Sequence, residues 1–212
     1  MKRKLLVVLT AVLLVVLASC TSADELKNDA VSAFGNVLDV QHASVEDGDN
    51  YRLEAPDGSA RIMWSPEDIT LWFDIAPFNE AGLNFSKLAP EIYNGGETAF
   101  FVHTGTFNML RLNPQETAIE QFAESLKYKR NNLSYHETTE RYNLDFGAAM
   151  FEWAKDVSAS SSDIVFALDP VPLIAAGLDP ENVEGWTYAE VSAMVAAKEE
   201  NLFRLIKSFD LK

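Results

Sequence analysis

The sequence predicts an α+β fold built from two similar halves, each an antiparallel sheet packed against helices. Three observations predict it: the chain matches itself at a shift of 95 residues, short β-rich runs alternate with turn residues, and an amphipathic helix opens each half. At that shift Asp68-Ile69 meets Asp163-Ile164, Asp74 meets Asp169, Pro77 meets Pro172, and Ala81-Gly82-Leu83 meets Ala176-Gly177-Leu178. These are seven identities over residues 68–83, where ordinary residue frequencies give roughly one by chance. Asn36 and Leu38 meet Asn131 and Leu133 at the same shift. With small gaps, Gly58, Ala60 and Trp64 meet Gly147, Ala149 and Trp153, and Asn108–Leu112 meets Asn201–Leu205.

The first helix is expected over Ala23–Leu38. Ser22-Ala23-Asp24-Glu25 has the form of a capping box, and Leu26, Ala30, Ala33, Phe34 and Val37 follow at helical spacing. Runs with strand character come next: Val37 to Gln41, Tyr51 to Glu54, Ala60 to Trp64, Ile69 to Asp74, and Thr98 to His103. Asp47-Gly48-Asp49-Asn50 and Pro56-Asp57-Gly58 separate them as turns. The second half opens at Asn113, with Pro114 at a first helical position and Glu116 as a capping acid. Ile119, Phe122, Ala123 and Leu126 form its apolar stripe, so a helix is expected over Pro114–Arg130. Toward the C-terminus, Ala189 to Phe209 has helix propensity while Trp186 to Val191 alternates as a strand, and both readings stay open.

The N-terminus has its own logic. Met1-Lys2-Arg3-Lys4 precedes an apolar run from Leu5 to Leu17, which is too short to span a bilayer comfortably, and Leu17-Ala18-Ser19-Cys20 follows. This segment resembles the export signal and lipobox of bacterial lipoproteins. The resemblance implies removal of residues 1–19, diacylation of the Cys20 thiol and a membrane anchor outside the cytoplasm. Thr21 after the cysteine, in the enterobacterial pattern, implies passage to the outer membrane; a single-membrane bacterium would keep the protein on the outer face of its cytoplasmic membrane. The expected organisation is therefore a leader (1–19), a lipidated cysteine with a short tether (20–22), a first repeat (23–112) and a second repeat (113–212).

Composition narrows the function further. The chain is 48% hydrophobic and 11% aromatic, enough to fold around a core. Its formal charge of −15 becomes −18 once Lys2, Arg3 and Lys4 leave with the leader, which argues against nucleic acid as a partner. The same charge repels anionic lipids, so attachment to the membrane falls to the lipid on Cys20. Cys20 is the single cysteine, so no internal disulfide and no cysteine-based metal site can form.

No phosphate loop, nucleophile elbow or zinc-protease helix appears, and neither a cofactor nor a metal is expected. His42, His103 and His136 have no diagnostic ligand spacing. Ser160-Ser161-Ser162 reads as a polar loop, and the pairs Glu199-Glu200 and Glu137 with Glu140 read as solvated faces. Trp64, Trp72, Trp153 and Trp186, with Phe100, Phe101 and Phe107, either line a groove or fill the core; the matched positions of Trp64 and Trp153 favour core. Asp74 and Asp169 remain as candidate cleft residues. One reading makes them caps of short helices; the other makes them equivalent polar points beside a pseudo-symmetric cleft. Three functions follow: a lipid-anchored, non-enzymatic protein that binds a ligand or an envelope protein near the membrane, a hydrolase-like enzyme using a carboxylate or histidine as acid/base, or a structural and assembly lipoprotein.

Overall fold

The computed structural model describes residues 22–41, 43–46, 50–103, 116–129, 132–157, 163–195 and 198–211. Cys20 and the leader, His42, Phe107, the serine run 160–162 and the connector 104–115 lie outside them.

Helix α1 (Ala23–Val40) starts where the capping box places it, with the Ser22 hydroxyl accepting from the Glu25 N–H. It runs on through Val40, so the strand expected at Val37–Gln41 is not formed. Ala30, Ala33, Phe34 and Val37 continue one buried stripe at three- and four-residue spacing, and that burial outweighs the β preference of Val37 and Val40.

Strands β1 (Ser44–Glu46), β2 (Asn50–Glu54), β3 (Ala60–Trp64), β4 (Ile69–Asp74), β5 (Tyr93–Gly95) and β6 (Ala99–His103) form an antiparallel sheet in the order β1-β2-β3-β4-β6-β5. Between β4 and β5 lie a short helix α2 (Ala76–Glu80) and a 3-10 turn at Phe85–Lys87.

After helix α3 (Ala118–Lys129), strands β7 (Leu133–His136), β8 (Arg141–Asp145), β9 (Ala149–Ala154), β10 (Ile164–Leu168), β11 (Thr187–Val195) and β12 (Lys198–Phe209) form a second six-stranded sheet. Its order, β7-β8-β9-β10-β12-β11, is that of the first sheet, and helix α4 (Pro170–Ala175) with a 3-10 turn at Pro180–Asn182 again follows the fourth strand. The protein is thus α+β and mostly β.

One local outcome differs from the sequence expectation, and another decides between its two open readings. Helix α3 is capped by Thr117, whose hydroxyl and N–H both meet the Glu120 carboxylate, so the described helix begins four residues after Pro114. The C-terminal segment is a long hairpin and not a helix, because Leu205 and Phe209 pair with β10 and face the core in alternation. Ala99 lies opposite Asp74, and Leu205 opposite Leu168. The expected pairing of Asn108–Leu112 with Asn201–Leu205 falls on residues 108–112, which lie outside the described residues.

One buried cluster runs through both sheets. At its centre the rings of Phe34 and Phe122 stack at 3.9 Å, and each also meets the edges or faces of Trp64 and Trp153 at 5.4–5.9 Å. The Trp64 indole donates to the Ala118 carbonyl of α3 (2.9 Å), and the Trp153 indole to the Ala30 carbonyl of α1 (3.1 Å). Each tryptophan therefore reaches the helix that opens the other half. Tyr51 stacks on Trp64, and Tyr142 on Trp153, in matching cross-strand pairs.

Candidate functional site

Asp74 ends β4 one residue before the N-cap of α2, Ile75, and Asp169 follows β10 as the N-cap of α4. The Asp74 carboxylate accepts from the Ala76 N–H and the Asp169 carboxylate from the Val171 N–H, both at 3.0 Å. Prolines at the first turns of α2 and α4 favour helix entry there. Both helices stop in the same way. The N–H of Leu83 returns to the Phe78 carbonyl and that of Gly82 to Asn79; Leu178 returns to Leu173 and Gly177 to Ile174. This pattern needs a left-handed residue, which glycine supplies at φ +93° and +107°.

The two stops then meet each other. The Asn84 N–H donates to the Ala176 carbonyl (3.0 Å) and the Asp179 N–H to the Ala81 carbonyl (2.8 Å), so residue i of one half bonds residue j of the other and the reverse. A Cβ on Gly82 would lie 2.9 Å from the Gly177 carbonyl oxygen, and one on Gly177 3.0 Å from that of Gly82. The shared Ala-Gly-Leu element thus serves close backbone approach between the halves.

Two polar side-chain tips, one of them on the groove candidate Trp186, are buried without a partner among the described residues. Tyr93 is buried, with no partner for its hydroxyl among the described residues, and burial together with the nearby charge of Asp169 pushes its phenol up. Trp186 holds the matching position next to β11. Its ring packs against Phe73 at 5.7 Å and Phe78 at 5.3 Å in the first half, and its N–H is likewise buried without a partner among the described residues.

A second polar group lies on the outer face of the second sheet. The Asn143 amide donates to the Glu152 carboxylate at 2.9 Å. Burial pushes the Glu152 carboxyl up, against the opposing effects of Asn143, Arg141 and His136. Burial pushes the Arg141 guanidinium down, against the charges of Glu152 and Asp163. Asn143 is only 3% exposed, and Met150 and Ala167 on the same face pack with Leu202 of the long hairpin. The signal for this group was available only through register: Arg141, Asn143 and Glu152 are among the outward positions of two paired strands.

The remaining candidates are scattered. The His136 ring accepts from the Thr139 N–H at the end of β7, and His103 occupies β6 opposite Thr70. Glu137 and Glu140 are exposed in the β7–β8 turn, and Glu199 and Glu200 fall in β12. Among the described residues no group of three His, Cys, Asp or Glu is arranged to hold a metal ion, and no helix is long and apolar enough to cross a membrane.

No family model, curated protein or solved structure matches the chain. Function is argued from its own residues.

Proposed function

We propose that the chain is a lipid-anchored bacterial envelope protein that binds a ligand or protein partner close to the membrane and carries no catalytic site. The observation that carries this reading is the spacing between the lipobox and the fold. Helix α1 starts at Ala23 with Ser22 as its cap, so only Cys20 and Thr21 separate the lipid from the folded body. A tether of that length holds the domain against the bilayer surface.

The non-enzymatic reading rests on what the acid/base candidates are doing. Asp74 and Asp169 each spend an oxygen on a helix N-terminus, and the His136 ring accepts from a turn N–H. Helix capping and turn closure account for the placement of these side chains without a substrate.

The fold belongs to the same proposal: an internal duplication, with each sheet packed against the leading helix of the other half. It is supported by the identical strand orders, the two tryptophan-to-helix hydrogen bonds and the reciprocal bonds between residues 81–84 and 176–179.

The anchor is tested by Cys20→Ser in cells. The variant is expected to keep residues 1–19, gain no lipid mass and leave the detergent phase; recovery of a mature, membrane-bound protein would overturn the reading. Binding is tested by isolating the lipidated protein from its own envelope under mild detergent and weighing it by native mass spectrometry. A bound molecule of defined mass is the expected result, and a bare monomer counts against it.

A further inference from the structure

We draw no further inference here: the strongest candidate, the cross-strand row of Glu54, Arg61, Trp72, Phe101 and Asn94 on the outer face of the first sheet, is a sheet face on which the Arg61 guanidinium already covers the Trp72 ring, and nothing in the structure shows what binds over it.

Discussion

Trp64 and Trp153 do the same work in their two sheets, whereas their immediate neighbours, Met63 and Glu152, do not. Each tryptophan points inward and bonds a helix of the other half. Met63 and Glu152 point outward from the same strand positions, one a buried thioether and the other a half-buried carboxyl. The contrast extends across both faces. Inward positions of the two sheets, Lys207 excepted, hold aromatic and aliphatic residues in one cluster, while the outward rows read Glu54, Arg61, Trp72 and Phe101 on the first sheet and Asp145, Met150, Ala167 and Ile206 on the second. What the halves share is therefore the chemistry of assembly. A function particular to this chain belongs with what they do not share.

The largest test of that view is at the centre. Phe34 and Phe122 are fully buried, stack on each other and touch both tryptophans. Truncating either to alanine is expected to cost about 3–5 kcal/mol, as for other buried aromatic rings. Urea denaturation of Phe34→Ala and Phe122→Ala should give losses within about 1 kcal/mol of each other. A loss at one position and not at the other would mean that the helices are not equivalent.

The glycine pair comes next. Gly82→Ala and Gly177→Ala each force a side chain into a positive-φ conformation and against the opposite carbonyl. Strain of this kind is worth about 1–3 kcal/mol. Because each Cβ meets the other glycine's oxygen, the double variant should lose less than the two single losses combined once the contact has opened. Strict additivity by chemical denaturation would show that the two turns do not act on each other.

Much of this was legible in the sequence, and the reason is local. Capping boxes, proline at helix starts and glycine at helix stops act over four residues, so Ser22, Asp74, Asp169, Gly82 and Gly177 could be placed from the chain alone. Val37 to Gln41 went the other way because a β-branched pair at a helix end reads as strand until the buried face is known. The final hairpin needed β10 as a partner, more than thirty residues away, and no local signal carries that. Tyr93 and Glu152 were invisible for the same reason: their surroundings are set by strand pairing and by charges distant in the chain.

Glu152 gives a smaller effect with a defined pH signature. Its carboxyl is held above the ordinary value of 4.5, chiefly by burial, so the folded state favours the neutral form more than the unfolded state does. Whatever stability this group contributes is complete below pH 4.5 and is lost as pH rises through the folded value. Glu152→Gln removes the titration. The variant should match the wild type in acid and gain on it with rising pH, by less than either core truncation costs; a gain that grows toward acid would reverse the assignment. Met63→Gln in the first sheet should show no such pH dependence.

The smallest expected effect belongs to a contact that has no counterpart. Lys207 stands where the first sheet has Val102, on an inward-facing position, and its ammonium bonds both the Asp57 carboxylate in the β2–β3 turn and the Gly185 carbonyl at 3.1 Å. A cation thus stands at the position where the first sheet has a core valine, with partners from both halves of the chain. Burial alone would raise the Asp57 carboxyl, but the hydrogen bonds from Lys207 and Ser59 outweigh it and hold it below its ordinary value of 3.8. A carboxyl depressed in the fold contributes stability above its unfolded value and loses it as pH falls through the folded one. Asp57 is about half exposed, so solvent screening limits the pair to about 1 kcal/mol or less. Asp57→Asn should therefore cost up to that amount at pH 7 and progressively less as pH falls through the folded value of the carboxyl. Lys207→Met, which restores an apolar side chain at the Val102 position, should leave the neutral-pH stability nearly unchanged while abolishing the effect of a second Asp57→Asn substitution. If Asp57→Asn still destabilises the protein at pH 7 in the Lys207→Met background, the ion pair is not what ties that turn to the second sheet.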